Sequence, residues 1–240
     1  MLKLTIDDRV IEVEDGSTIL EAAEKSGIFI PTLCYHEALT PIGSCRLCAV
    51  EATHNNRSSI ITACNYPVED GMKVSTKSEN LVNVRKIAIQ LLLARSPRSR
   101  RIQELARQLG VGQPSFTIET QDCILCQMCV ETCHEIVGAD AISFITCGGE
   151  HKIDEAHIDV SPDKCIGCNS CVYICPTDAI TVEDIGDTRI ISTPSGKIEF
   201  RLKKCKTCGN YWAPEKQLDY IAQKLGLAPE VFDNCPNCRD

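Results

Sequence analysis

The sequence has few aromatic residues and no long apolar run, although it is 240 residues long. Phe, Trp and Tyr make up 5% of it, so no domain can be built around a large aromatic core. The first eight residues contain no apolar signal core, and the longest lipid-like run, Ile87 to Ala94, is too short to span a bilayer. The formal net charge of −8 disfavours binding to nucleic acid. We therefore expect a cytoplasmic protein with no membrane span and no nucleic-acid partner.

Cysteine, in contrast, is abundant, and sixteen of the 17 cysteines fall into four groups of four. The groups are Cys34, Cys45, Cys48 and Cys64; Cys123, Cys126, Cys129 and Cys133; Cys165, Cys168, Cys171 and Cys175; and Cys205, Cys208, Cys235 and Cys238. Cys147 is left over, and we expect it to be a thiol that binds no metal. In a secreted protein such a density would indicate disulfides, but a reduced chain uses soft thiolate tetrads for iron–sulfur clusters or zinc. Because ligation and folding are coupled at such sites, the metal-free chain is expected to be largely unfolded.

Residues 1–78 carry the first group and begin with alternating apolar and polar residues. The alternation on either side of Asp7-Asp8 predicts a hairpin. A helix is expected next, with Ser17 or Thr18 as its N-cap, Glu21 close behind, and Gly27 at its C-terminal end. A hairpin, a helix and then a cysteine-bearing loop resembles the chain order of a β-grasp ferredoxin.

The first group has the spacing C-x10-C-x2-C-x15-C, which can bring four thiolates onto one [2Fe–2S] rhomb. Gly43 precedes the two close ligands and lets the backbone bend near the cluster. A zinc site is the alternative. His36, near Cys34, is interpreted as a surface residue and not as a ligand.

Residues 79–112 contain neither cysteine nor histidine. Apolar residues recur there at helical spacing, stop at Ser96-Pro97 and resume up to Gly110, so we expect a connector of two helices. It is also the basic stretch of the chain, with Arg95, Arg98, Arg100, Arg101 and Arg107.

Residues 113–184 contain an internal repeat, because the second and third groups both read C-x2-C-x2-C-x3-C. This spacing resembles bacterial two-cluster ferredoxins, in which the fourth cysteine of each run serves the other cluster. The resemblance implies one [4Fe–4S] cluster on Cys123, Cys126, Cys129 and Cys175, and a second on Cys133, Cys165, Cys168 and Cys171. Two zinc sites are the alternative. The first run continues into His134 where a proline would be usual.

Residues 185–240 comprise a strand-rich linker up to residue 204 and a four-cysteine tail with a helical stretch from Pro214 to Leu225. The two C-x2-C pairs of the tail resemble zinc-ribbon knuckles. Structural zinc is the first interpretation and a fourth iron–sulfur centre is the second, since an all-cysteine ligand set fits both.

The order of the modules resembles the N-terminal half of the large iron–sulfur subunit of respiratory complex I. It also resembles the ferredoxin-type subunits of NAD(P)-linked hydrogenases (their diaphorase part) and of formate dehydrogenases. The resemblance covers about residues 1–184 and implies an α+β protein that relays electrons. Its implied partners are a flavin- and NAD(P)-binding iron–sulfur subunit and a catalytic subunit such as a hydrogenase or formate dehydrogenase. Many relatives carry a cluster with one histidine ligand in the connector, and we expect that cluster to be absent here.

Three other functions compete with the relay. A catalytic chain is disfavoured because the nearest candidate for a dinucleotide loop, Gly110 to Pro114, lacks a third glycine and a preceding strand. A nucleic-acid-binding tail is disfavoured because its lysines are interspersed with acidic residues. A free-standing polyferredoxin carrier is the remaining alternative.

Overall fold

The computed structural model describes residues 1–114, 116–118, 122–146 and 156–239. They form two compact units, Met1–Cys126 and Gln127–Asp240. Both units contain helices and strands, so the expected mixture of α and β structure is confirmed. Cys147 lies outside the described residues. Within the described part of the chain, no helix has the length and apolarity needed to cross a membrane.

The first unit is built on a five-stranded mixed sheet. Its elements are β1 (Leu2–Ile6), β2 (Arg9–Val13), α1 (Ile19–Lys25), β3 (Ala49–His54), β4 (Arg57–Thr62), β5 (Met72–Ser75), α2 (Glu79–Arg95) and α3 (Arg100–Gln108). The strand order is β2-β1-β5-β3-β4, with β1 parallel to β5 and the other neighbours antiparallel. One face of the sheet and α1 enclose a core that includes Leu4, Ile6, Ile19 and Leu20.

The hairpin predicted at the start of the chain is confirmed, because β1 and β2 pair antiparallel from Leu2↔Val13 to Ile6↔Arg9. The two turn residues, Asp7 and Asp8, have φ values of 46° and 69°. Two successive positive φ angles are what a tight two-residue hairpin requires, and aspartate tolerates them better than bulky residues do.

The predicted capping of α1 is also confirmed, with Thr18 as the N-cap. The Thr18 hydroxyl accepts from the Glu21 amide at 3.2 Å, and the Glu21 carboxylate accepts from the Thr18 amide at 2.8 Å. This reciprocal pair satisfies two amides that have no partner inside the helix. Ser26 ends the helix, and Gly27 follows in the left-handed region at φ 68°.

The connector forms the two predicted helices, α2 and α3, which begin at the N-caps Ser78 and Ser99. The fully buried side chains of Leu81, Ile89 and Leu93 lie along one face of α2. Arg85 lies on the same face and is itself buried.

The second unit contains a two-stranded and a four-stranded sheet. Its elements are α4 (Met128–Glu131), a π-helical turn (Thr132–Val137), β6 (Ile142–Ile145), β7 (His157–Val160), α5 (Ser170–Ile174), β8 (Thr181–Ile185), β9 (Thr188–Thr193), β10 (Gly196–Lys204), β11 (Tyr211–Pro214), α6 (Glu215–Leu225) and two 3-10 turns (Pro229–Phe232 and Pro236–Cys238). β6 pairs with β7, and the larger sheet has the order β11-β10-β9-β8 with all neighbours antiparallel. The strands expected in the linker are therefore present, but they continue into one sheet with β11 of the tail.

Candidate metal centres

The first cysteine group converges at the edge of the core of the first unit. All four thiols, Cys34, Cys45, Cys48 and Cys64, are buried. Cys45 and Cys48 lie on the loop before β3, Cys64 follows β4, and the Cys45 amide donates to Cys34 Sγ at 3.3 Å. An amide aimed at a ligand sulfur stabilises its thiolate form, which is the form that binds metal.

Gly43 is required by the shape of this ligand loop. Its φ is 73°, and a Cβ at this position would lie 3.0 Å from both Asn65 Nδ2 and Thr62 Oγ1. The bend that the sequence predicts at Gly43 is therefore confirmed, and a larger residue there would be strained by the positive φ and would crowd Asn65 and Thr62.

The thiols of the first group interact in two pairs. The side chain and amide of Cys45 hold the pKa of Cys34 down to about 6, and a hydrogen bond from Cys64 lowers the pKa of Cys48 to about 7. Donation of those hydrogen bonds, together with burial, raises the pKa of Cys45 and of Cys64. Within each pair the two sulfurs share a hydrogen bond, and metal binding must displace its proton.

Four cysteines of the second unit line one cavity, and they are the set predicted for the second [4Fe–4S] cluster. Cys133, Cys165, Cys168 and Cys171 line it together with apolar side chains that include Ile142, Ile166 and Ile191. The Ala141 amide donates to Cys133 Sγ at 3.3 Å.

Burial dominates the acidity of three of the thiols in this cavity. It raises the pKa of Cys133, of Cys165 and, to about 12, of Cys171. Isolated thiolates are therefore unfavourable in the cavity. The cavity fits a group that brings its own positive charge, as the iron ions of a cluster do.

The other predicted ligand set is divided between the two units. Cys123 and Cys126 belong to the first unit, and Cys129 and Cys175 to the second. Arg95 of α2 fixes the first ligand segment, since its Nε donates to the Cys123 carbonyl at 3.0 Å. The assignment of these four thiols to one cluster stays a prediction.

The two repeated cysteine runs have similar backbone geometry. Positive φ angles occur at aligned positions in both, namely at Leu125 and Gly167 and at Gln127 and Asn169. A short helix follows in each run, α4 in the first and α5 in the second. The sequence repeat is therefore also a structural repeat.

The last cysteine group has the dimensions of a site for one ion. The Sγ atoms of Cys205, Cys208, Cys235 and Cys238 all lie within 4.8 Å of one another. The Cys208 and Cys235 sulfurs are 3.9 Å apart. A tetrahedral ion with Zn–S bonds of about 2.3 Å separates its sulfurs by roughly 3.8 Å.

Main-chain amides also favour the thiolate form at this site. The amides of Cys208 and Cys235 lower the pKa of Cys205 to about 6, and the Cys235 amide lies 3.3 Å from Cys205 Sγ. Hydrogen bonds to the neighbouring thiols raise the pKa of Cys238 to about 12. Next to Cys238, the guanidinium of Arg239 lies over the rings of Trp212 and Phe232. These contacts hold the residue after Cys238 against the rest of the tail.

Helix α6 of the tail holds the segments that carry the cavity cysteines. The Tyr220 hydroxyl lies 3.0 Å from the Val137 carbonyl and 2.8 Å from that of Gly138. Lys216 Nζ donates to the carbonyls of Pro162 and Asp163 at 2.8 and 2.6 Å. These contacts join residues more than fifty positions apart in sequence, and the sequence alone did not reveal them.

The loop between Cys165 and Cys168 is tightly packed against the sheet of the tail. A Cβ at Gly167, where φ is 75°, would lie 2.8 Å from the Phe200 ring and 3.0 Å from Pro214. The Gly167 carbonyl accepts from Arg189 Nη1 at 3.3 Å. The ligand loop therefore has its conformation fixed by the sheet β8–β11.

Comparison with family models gives the class of domain. Residues 1–79 match a 2Fe-2S iron-sulfur cluster binding domain. Residues 116–182 match a 4Fe-4S dicluster domain, and a second model of the same description matches residues 164–210. The chain therefore has a domain of the 2Fe-2S class followed by domains of the 4Fe-4S class.

Several curated oxidoreductase subunits are similar in sequence to this chain. It is 37% identical over 205 residues to the NADPH-Fe(3+) oxidoreductase subunit alpha of Geobacter sulfurreducens, covering 75% of this chain and 24% of the relative. It is 33% identical over 207 residues to an NADH-quinone oxidoreductase subunit of Rhizobium meliloti, with the same coverage. The chain is thus a homologue of these two subunits, and the resemblance to the large complex I iron–sulfur subunit is confirmed.

Two further comparisons involve hydrogenases. The NADP-reducing hydrogenase subunit HndD of Solidesulfovibrio fructosivorans is 31% identical over 211 residues, covering 75% of this chain and 36% of the relative. A chain in a crystal structure of NAD+-reducing [NiFe]-hydrogenase in the H2-reduced state superposes with a TM-score of 0.56 at 24% identity, covering 90% of this chain and 93% of that chain. This likeness concerns the fold. The chain spans about a quarter of the length of the first two relatives and about a third of HndD.

Proposed function

We propose that this chain is an electron-relay subunit of a multisubunit NAD(P)-linked oxidoreductase. When bound, [2Fe–2S] and [4Fe–4S] clusters accept and release single electrons at low potential. The observation that carries the proposal is the convergence of four thiols, Cys133, Cys165, Cys168 and Cys171, in one apolar cavity of a chain that holds a second buried four-thiol site in its first unit.

The residues of the chain would perform three tasks in such a relay. The buried thiols hold the clusters, the amides aimed at sulfur influence their potential, and apolar side chains such as Ile166 and Ile191 exclude water from the cavity. The mixed five-stranded sheet and α1 support the β-grasp class proposed for the first unit. Cys123, Cys126, Cys129 and Cys175 are proposed as the ligands of the remaining [4Fe–4S] cluster.

We propose two partners, a flavin- and NAD(P)-binding iron–sulfur subunit and a separate catalytic subunit. The names of the relatives support this, since they include an NADPH-Fe(3+) oxidoreductase subunit, an NADH-quinone oxidoreductase subunit and an NADP-reducing hydrogenase subunit. A hydrogenase is the first candidate for the catalytic partner, and a formate dehydrogenase remains the alternative predicted from the sequence.

For the last cysteine group we propose one structural zinc ion. The 3.9 Å separation of the Cys208 and Cys235 sulfurs supports a mononuclear tetrahedral site. A fourth iron–sulfur cluster, the second interpretation of the sequence, needs its ligands farther apart because several ions lie between the sulfurs. A single iron in place of zinc would satisfy the same geometry, and elemental analysis separates the two ions.

The relay is tested in the complex isolated from its native source. NADH and NADPH are added anaerobically in separate samples, and the EPR signals of the clusters in this chain are followed. We expect at least one nucleotide to reduce them through the flavin partner. Clusters that stay oxidised while the flavin is reduced would contradict the assignment.

The free-standing carrier is tested by the size of the protein in native extract. A carrier elutes near the 26.4 kDa of the chain, whereas a relay subunit elutes with its partners at a much larger mass. The co-eluting chains also identify the donor and the acceptor.

A further inference from the structure

Arg85 is a buried cation that the sequence did not single out. Its side chain is 8% exposed, and Leu81 and Ile89, one helical turn away on either side, are fully buried. Because desolvating a guanidinium is costly, arginine is seldom buried without groups that balance its charge.

The hydrogen bonds of Arg85 go to neutral acceptors. Nη1 donates to the Thr76 carbonyl at 3.0 Å and Nη2 to the Ala49 carbonyl at 2.6 Å. Among the described residues, Nε has no hydrogen-bond partner. Carbonyl oxygens orient the guanidinium but do not neutralise it, so the balancing charge must come from elsewhere.

Two anionic groups act on the guanidinium. Burial lowers the pKa of Arg85, and the negative charges of Cys48 and Asp7 oppose that shift. Cys48 is a predicted ligand of the [2Fe–2S] site and immediately precedes Ala49, the residue whose carbonyl binds Nη2. The connector helix α2 thus carries a fixed positive charge to the ligand loop of the first unit.

We propose that Arg85 is a positioning residue that holds its charge beside Cys48 and raises the reduction potential of the [2Fe–2S] centre. The inference rests on the proposed function, because it requires a cluster on the first cysteine group. Four thiolates around an oxidised [2Fe–2S] core leave a net negative charge, and reduction adds one more. A fixed cation nearby therefore stabilises the reduced form more than the oxidised form.

The test compares Arg85→Met with Lys86→Met in the full chain carrying its clusters. Arg85→Met removes the buried charge, whereas Lys86→Met removes a charge from the adjacent, more exposed position, where solvent screens it. The potential is measured by a redox titration that follows the EPR signal of the [2Fe–2S] centre. For Arg85→Met we expect the equilibrium constant for one-electron reduction to fall about tenfold, which corresponds to a shift of about 59 mV to more negative potential. Lys86→Met is expected to have the same reduction potential as the wild type.

A second pair of variants keeps the test decisive if Arg85→Met does not retain its cluster. Asp7→Asn removes the other anion that acts on Arg85 and changes the shape of the side chain very little. The Asp7 carboxylate accepts from the Thr76 amide at 2.8 Å, and the side-chain oxygen of asparagine can accept the same hydrogen bond. We expect it to shift the potential in the positive direction, opposite to Arg85→Met. Arg85→Lys keeps the charge and is expected to restore most of the wild-type potential.

The outcomes separate this inference from the proposed function. Equal potentials in Arg85→Met and wild type, with the cluster signal intact in both, would overturn the role of Arg85 and leave the relay in place. If Arg85→Met loses its cluster, an unchanged or more negative reduction potential in Asp7→Asn overturns the proposed role of Arg85. A wild-type chain with no [2Fe–2S] signal would instead contradict the proposed function itself.

Discussion

The first and last cysteine groups are surrounded by very different amounts of protein. The first lies at the edge of a core of seventeen buried residues, two of which are its own members Cys48 and Cys64. Beside the last group, the buried cluster contains four residues, Ala213, Leu218, Ala222 and Phe232. The sheet and helix around the larger core can fold without much stabilisation by a bound metal, whereas the tail needs its ion to fold. The expectation that the metal-free chain is unfolded should therefore hold for the tail more than for the first unit.

Removal of one ligand from the last group is expected to have the largest effect. Cys238→Ser should lose the zinc and, with it, the amide protection of residues 205–239, because structural zinc contributes on the order of 10 kcal/mol to folding of small modules. Hydrogen exchange read by mass spectrometry measures this, with zinc and iron counts on the same sample. β1 and β5 should keep their protection.

Cys147→Ser is the matched control for that substitution, since Cys147 is the one cysteine outside the four groups. It should change neither metal count. A tail that keeps its protection in Cys238→Ser after complete loss of zinc would show that the ion is dispensable for folding.

The first unit should instead be sensitive to its apolar core. Leu20 of α1 is fully buried, and Leu20→Ala is expected to destabilise the unit by about 2–5 kcal/mol through lost burial and a residual cavity. The opening free energies of amides in β1 and β5, obtained from hydrogen exchange, measure this. Val10 is 73% exposed, so Val10→Ala should change them by less than about 0.5 kcal/mol. Equal effects of the two substitutions would mean that metal and not the core stabilises this unit.

The tail and the cavity ligands are expected to be coupled through α6. Tyr220→Phe deletes the hydroxyl that donates to the turn at Val137 and Gly138, which should cost about 1 kcal/mol and speed iron release from the cavity site by about fivefold. Release is followed by absorbance in excess chelator. Tyr211→Phe is the control, because the contact of Tyr211 with Lys204 is made by the ring, which the substitution keeps. Identical release rates for both variants would show that α6 does not hold the ligand segment.

The smallest expected effect concerns Asp184 and pH. Two hydrogen bonds from Arg189, at 2.7 and 2.8 Å, lower the pKa of Asp184 below its usual 3.8, and partial burial opposes them. Because the folded pKa is depressed, the stabilisation is fully present above the unfolded pKa and is lost as pH falls through the folded pKa. Thermal unfolding should show a constant small deficit for Asp184→Asn between pH 7 and pH 5 that shrinks only in acid. A deficit that grows in acid would reverse the assignment.

Local patterns in the sequence predicted the parts of the structure that depend on neighbouring residues. The hairpin at Asp7-Asp8, the capping of α1 by Thr18 and Glu21, and the two connector helices all follow from short-range chemistry. The resemblance to two-cluster ferredoxins implied that Cys133 joins the cysteines of the later run, and the same four thiols line the cavity of the second unit.

The features that the sequence did not reveal depend on contacts between distant residues. The Tyr220 hydroxyl donates to carbonyls 82 and 83 residues away in the sequence. No pattern near Tyr220 in the sequence predicts these hydrogen bonds. The burial of Arg85 did have a signal, since it lies four residues from Leu81 and four from Ile89 on the apolar face of α2. What it binds there is set by the packing of α2 on β3, which only the fold supplies.

The central claim is that these sulfurs hold iron in three places and a single ion in the fourth. Iron, acid-labile sulfide and zinc are counted in the full chain purified under strict exclusion of oxygen. The account predicts a brown protein with about ten irons and about one zinc per chain, the sum of one [2Fe–2S] cluster, two [4Fe–4S] clusters and one tetrahedral ion. A colourless chain that contains zinc but no iron would contradict it.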